Sequence, residues 1–196
     1  MPRQSDARQK MIESAAVLFR ERGVQGTSFS DVLAHSGAPR GSIYHHFPRG
    51  KIQLTEETTA WAGEYILATT IAALEQSDPL GAIDTISRWW TRILRDSDYA
   101  AGCVIVAATL DGEHAPSVRV TAAEAFTKWE NAFSTALRRR GVPAARARSV
   151  ATLAIAAIEG AVILSRAKQS TTPLKRVTQE LRIILTGALD LIHASD

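Results

Sequence analysis

Between positions 39 and 51 the chain reads PRGSIYHHFPRGK. If Ile43 and Phe47, four residues apart, face inward, then Arg40, Gly41, Ser42, Tyr44 and His45 are left facing out. That set holds one long cation, a glycine that permits close backbone approach, two hydroxyls, an imidazole and no acid. Donors of several lengths with little bulk near a helix start suit base edges and phosphates in a DNA major groove. The plainer reading is a three-helix cap whose outward residues are merely solvated. Thr27 and Ser28 would join such a surface, because free N–H groups and a hydroxyl at a helix start seat a phosphate. Lys51 also stands at a helix start, where a cation gains nothing from the helix dipole, and a phosphate partner would account for it.

Three short helices must hold these residues. The first carries Ile12, Ala15, Ala16, Leu18 and Phe19 at helical spacing and stops at Gly23. A second begins at Ser28, with Asp31 three residues on as a capping box, has Phe29, Val32 and Leu33 as its apolar positions, and stops before Gly37. Pro39 has the φ of a first helical turn, and a third, short helix runs through Ile43 and Tyr44. A Gly-bearing turn between the second and third is the signature of a helix-turn-helix. Residues 1–7 read as a mobile arm from which Arg3 and Arg8 could reach phosphate or the minor groove.

The run SGAPRGSIYHHFPRGKIQL resembles the signature of the tetracycline-repressor (TetR) family of bacterial regulators. The matching elements are the Gly-turn, Arg40, the Ile43-Tyr44 and His46-Phe47 pairs and Lys51; SFSDV at 28–32 resembles the start of the family's second helix. APRGSIYHHFPRGK is closest to the LmrA-type subgroup, and Ala100-Ala101-Gly102-Cys103 resembles the small-residue turn and Gly-Cys at the start of that subgroup's sixth helix. Strong similarity spans residues 8 to 55. It implies a homodimeric repressor of a palindromic double-stranded DNA operator, released by a small effector held among the middle helices. Arg40 and Ser42 would read bases, while Tyr44, His45, Lys51 and Ser28 would clamp phosphates. Pro39 departs from the commoner Ser or Thr there and can donate neither N–H nor hydroxyl, so that phosphate contact is lost or moved.

Beyond the head, a long helix from Lys51 to Gln76 carries Leu54, Trp61, Tyr65, Ile66 and Leu67 and reads as a connector. Helices then follow at about 79–96, 101–111, 116–140, 143–168 and 173–194, separated by Gly and Pro breakers. The expected fold is all-α: a helix-turn-helix domain over 1–50, joined by the long helix to a ligand-binding and dimerisation bundle over 51–196. Trp61, Tyr65, Trp89, Trp90, Cys103, Leu110, Phe126, Trp129 and Phe133 either fill a core or line an apolar cavity, and both readings stand. Such a cavity, without a Lys/Arg cluster, would take a flat or greasy molecule. Residues 143–168 are rich in Ala and Gly, and 173–194 repeat apolar residues at three- and four-residue steps. Each could bury one face internally and another on a second subunit; two ordinary core helices are the alternative. Arg138-Arg139-Arg140 reads as cations at a helix C-terminus before Gly141 rather than as a second nucleic-acid site.

Charge supports this polarity. Residues 1–55 carry eight Lys+Arg against four Asp+Glu, a net of +4, and the other 141 carry 15 against 16, a net of −1. The positive excess thus sits on the segment with the DNA-reading pattern. No uninterrupted apolar run approaches the ~18–20 residues of a membrane span, and MPRQSDARQK lacks a signal-peptide core. With the single Cys103 this points to a cytoplasmic protein without disulfides. Catalytic patterns and cofactor motifs are missing. His45 and His46 face different ways on a helix, and Asp111-Gly112-Glu113-His114 reads as a solvated loop rather than a metal site. A small-molecule sequestering protein with a vestigial head is the alternative function, and joint retention of Arg40, Tyr44 and Lys51 speaks against it.

Overall fold

The computed structural model describes residues 4–39, 41–111 and 115–190, residues 4 and 5 by backbone alone. Arg3, Arg40, Gly112, Glu113, His114 and the tail from 191 onward, all weighed above, lie outside the described residues. Among the described residues the chain forms nine helices and no strand, so the all-α expectation holds. They are α1 (Gln4–Arg22), α2 (Phe29–Ser36), α3 (Ser42–His46), α4 (Lys51–Gln76), α5 (Pro79–Asp96), α6 (Val104–Asp111), α7 (Pro116–Arg139), α8 (Ala144–Ala167) and α9 (Thr172–Asp190). Two compact units result: Met1–Glu64 with Ala100–Ala125, and Tyr65–Tyr99 with Phe126–Asp196. Helices α4 and α7 contribute residues to both.

In the first unit α1 packs on α2, α3 and α6. Its inward stripe is Met11, Ile12, Ala15, Ala16, Leu18 and Phe19, all buried. The stripe recurs every three or four residues, the spacing of one helix face. Helix α1 ends at Gly23, whose φ of +78° would strain any residue carrying a Cβ, and whose N–H donates to the Phe19 carbonyl at 2.9 Å. Residues 4–7, expected as a free arm, form the first turn of α1. Arg8 is likewise held: its guanidinium pairs with the Glu57 carboxylate and lies 5.3 Å over the Phe47 ring. Two of its faces are thereby spent on the protein's own interior edge.

Helix α6 starts at Val104, three residues later than spacing alone implies. Just before it, the Gly102 N–H donates across to the Arg20 carbonyl at 2.7 Å. Ala101 and Cys103 flank it, both buried.

In the second unit α5 packs on α8 and α9, and α8 packs along α9. Asp78 caps α5 by accepting from the Gly81 N–H at 2.8 Å, with Pro79 at the first helical position. Helix α8 buries Ala147, Val150, Ala151, Ala154, Ile158, Ala161 and Val162, and α9 buries Leu174, Leu181, Leu185 and Ala188. Between α5 and α9 the Thr178 hydroxyl donates to Ser87 Oγ at 2.8 Å, closing the polar groups of that seam on each other. By length and mean hydropathy (1.7 over eighteen residues) α8 equals a membrane span, although no uninterrupted run does; 39% of that stretch is buried inside the protomer.

Candidate functional site

The DNA-facing candidates rest on a small, fully packed support. Ile43 and Phe47 are both 0% exposed, and fixing them inward leaves Tyr44 and His45 exposed, with Ser42 and His46 half-buried. Burial of each contributes roughly 1.5–3 kcal/mol, enough to set the rotation of a five-residue helix that has little intrinsic stability. Tyr44 is 67% exposed, and Gly41 and His45 are exposed too. Ser42, half-buried, donates its hydroxyl to the Pro39 carbonyl at 2.6 Å, which leaves its oxygen only an acceptor role. The Tyr44 ring stands edge-on to Phe29 of α2, with centroids 5.6 Å apart.

Helix α2 begins as its sequence requires. Ser28 Oγ accepts from the Asp31 N–H at 3.1 Å, and the Asp31 carboxylate accepts from the Ser28 N–H at 2.7 Å. That reciprocal capping box leaves the Ser28 side chain exposed. Two hydrogen bonds from Ser28 hold the Asp31 carboxyl below the usual aspartate range, first its hydroxyl donating to Oδ2 at 2.6 Å and then its backbone N–H, with help from Arg22 and Lys51. Thr27 is different. It is 1% exposed and its hydroxyl donates to the Gly23 carbonyl at 2.9 Å, so the side chain locks the turn from inside.

Lys51 opens α4 beside these groups, half-buried. Burial lowers its ammonium below the usual lysine range, while the Asp111 and Asp31 carboxylates act the other way. An ammonium short of solvation next to an exposed helix start is well placed for a phosphate oxygen. Burial also lowers the His46 imidazole, reinforced by His45 and Arg8, so His46 is a neutral support rather than a cationic contact.

In the second unit, Trp90, Trp129 and Phe133 come together around a cavity of about 50 Å³. Trp89 meets Trp90 edge-on at 4.8 Å between centroids, and Phe126 meets Trp129 at 5.3 Å, but neither Trp89 nor Phe126 lines the cavity. Tyr65 is 54% exposed on α4. Trp61, Cys103 and Leu110 belong to the first unit instead, with Cys103 buried and Leu110 74% exposed. A wider groove of about 620 Å³ runs along Ile71, Glu75, Asp78, Asn131 and Arg139; it is open and has no aromatic wall. Small-molecule sites are enclosed, mostly apolar and of ~300–1,000 Å³, so the aromatic cavity has the chemistry but must widen to admit a ligand.

Comparison with known proteins decides the class. Residues 11–58 match the model of bacterial regulatory proteins of the tetR family, and residues 79–180 match the C-terminal domain of LmrA/YxaF-like transcriptional regulators. An HTH-type transcriptional regulator of Mycobacterium tuberculosis is 38% identical over 188 residues, 93% of this chain and 95% of that one. The chain belongs to the TetR family. The HTH-type regulator LmrA of Bacillus subtilis is 31% identical over 176 residues, 88% of this chain and 93% of LmrA. Among solved structures, the regulatory protein TetR from Rhodobacter sphaeroides superposes with a TM-score of 0.81 at 17% identity, over 91% of this chain and 98% of that one, and shows the shared fold. This TetR-family chain is therefore a DNA-binding transcriptional regulator of the LmrA/YxaF-like branch, among relatives that are regulators and not enzymes.

Two parts of the site escape reading from sequence. The cavity wall includes Ala154, Ile155, Ile158 and Glu159 of α8 and Ile83 and Ile86 of α5. Their 3–4 spacing marks a helix face without saying what that face meets. The other is Asp111, expected in a solvated loop. It is the last residue of α6, and its Oδ2 accepts from the N–H groups of Val24 at 2.7 Å and Gln25 at 3.1 Å.

Proposed function

We propose that this regulator is a repressor, binding a palindromic double-stranded DNA operator as a homodimer and releasing it when a small apolar or aromatic effector enters the second unit. The observation that carries the DNA surface is the fully buried Ile43–Phe47 pair, which commits Tyr44 and His45 to solvent. Ser42 and Arg40 would read bases; Ser28, Tyr44, His45 and Lys51 would clamp phosphates, with Gly41 allowing close approach. Thr27 then serves by holding the turn. Residues 1–50 act as the DNA-reading segment and 51–196 as the ligand-binding and dimerisation part, in a cytoplasmic protein.

Dimerisation through α8 and α9 is supported by their outer faces. Leu153, Ile163 and Leu164 of α8 and Ile183 of α9 are 43–65% exposed. Gly160 and Gly187 lie among them with open space where a Cβ would be, which lets a second backbone come close. Two heads on one dimer give a short recognition helix a second half-site to read. Entry of an effector at Trp90, Trp129 and Phe133 must push these side chains apart, favouring conformers that fit the operator less well. Trp61, Tyr65, Trp89, Cys103, Leu110 and Phe126 complete the set proposed from sequence, as second-rank candidates. The reciprocity of linkage supplies the experiment: an effector found by thermal-shift screening must weaken operator binding by the same factor by which operator weakens effector binding. Simultaneous and independent binding of the two would contradict release by effector.

A further inference from the structure

Asp111 is separated from the α1–α2 turn by 87 residues in sequence, yet one of its carboxylate oxygens accepts from two successive amides there, Val24 and Gln25. The turn is shaped around that oxygen. A Cβ added to Gly23 would stand 3.1 Å from it, in a backbone already at φ +78°. Downstream, the Thr27 N–H donates to the Val24 carbonyl at 3.2 Å and the Thr27 hydroxyl to the Gly23 carbonyl at 2.9 Å. Ser28 follows directly and caps α2. A continuous set of hydrogen bonds thus runs from the end of α6 to the residue expected to seat a phosphate.

We infer that Asp111 is a positioning residue for DNA binding: it holds the 23–27 turn so that Ser28 and the start of α2 meet the DNA backbone in register. The inference rests on the DNA surface proposed above. It carries a sign that separates it from simple electrostatics. A carboxylate near a polyanion repels it, so deleting Asp111 should tighten DNA binding if charge were all that mattered. Positioning demands the opposite. Without the acceptor, two amides lose their partner and the turn is free to shift, and helix-start contacts to phosphate tolerate little displacement.

The test uses the full-length dimer and an operator fragment selected from genomic DNA. Asp111→Ala is expected to weaken operator binding tenfold or more. Asp111→Asn keeps an acceptor oxygen in place and is expected to bind within about threefold of the parent. In a double-mutant cycle, Ser28→Ala should cost much less in the Asp111→Ala background than in the parent, because the contact is already lost. Amide exchange at Val24 and Gln25 should accelerate in Asp111→Ala whether or not DNA is present. Tighter binding by Asp111→Ala, or equal Ser28→Ala losses in both backgrounds, would overturn the inference. A parent protein with no preference for any fragment fails the underlying DNA reading, and then unaltered exchange at Val24 and Gln25 would overturn the positioning role separately.

Discussion

Phe29 and Tyr44 meet edge to face across the junction of α2 and α3, with centroids 5.6 Å apart and planes at 78°. The contact braces a ring that is otherwise 67% exposed, while the phosphate-clamping role proposed for Tyr44 rests on its hydroxyl. The two roles separate by substitution. Tyr44→Phe keeps the ring pair and is expected to leave the thermal midpoint unchanged while weakening operator binding about three- to tenfold, the worth of one hydrogen bond. Tyr44→Ala should also lower stability, since such ring pairs contribute ~0.5–1.5 kcal/mol beyond area. Calorimetry beside DNA titration distinguishes them.

The seam of α4 holds a reserve of stability. Thr58 and Thr59 are both 0% exposed, and neither hydroxyl has a hydrogen-bond partner. A buried hydroxyl without a partner costs ~1–3 kcal/mol. Thr59→Val is therefore expected to raise the thermal midpoint by roughly 2–4 °C for each kcal/mol recovered. A lowered midpoint in differential scanning calorimetry would mean the hydroxyl is used.

Much of this was legible in the chain, and the exceptions share a cause. Gly23, the Ser28–Asp31 box, the inward Ile43–Phe47 pair and both ends of α4 are encoded within a few residues of where they act, and local physics suffices to read them. Asp111 is not, because its partners lie 87 residues away and nothing beside it in sequence points to them. The Gly102–Arg20 backbone tie is equally remote in sequence. Arg8 was open to solvent in a one-dimensional reading, but Glu57 and Phe47 claim it. Aromatic residues announce themselves without saying which neighbours they meet. Trp90, Trp129 and Phe133 share a cavity, whereas Trp61, Cys103 and Leu110 belong to the other unit.

The proposed dimer face makes a sharp prediction. Ile183 is 65% exposed and Leu164 49% in the protomer. If a partner covers them, each contributes on the order of 1.5–3 kcal/mol by burial. Ile183→Asp combined with Leu164→Asp is expected to yield a folded monomer by light scattering, with operator affinity reduced at least a hundredfold through loss of the second head. An unchanged mass would place the dimer contact elsewhere.

Two titrations give the head's stability a common pH sign. Burial lowers His46 below its ordinary value of 6.5, so the unfolded chain binds its proton first and stability falls as pH drops through 6.5 toward the folded value. Asp31 is lowered below 3.8 by its Ser28 hydrogen bonds, so its stabilisation is present above 3.8 and is lost as pH falls further, through the folded value. Melting curves between pH 8 and pH 3 should show two successive losses. His46→Gln is expected to flatten the first and leave the second.

Lys51 tests the central claim most directly. Fluorescence anisotropy would compare a selected operator with a scrambled duplex at ~150 mM salt, for the parent and for Lys51→Ala. The predicted result is a preference of about 10³-fold or more for the operator, together with a salt slope lowered by about one unit in Lys51→Ala. Equal affinity for both duplexes, or a Lys51→Ala slope identical to that of the parent, would contradict the assignment of this surface to DNA.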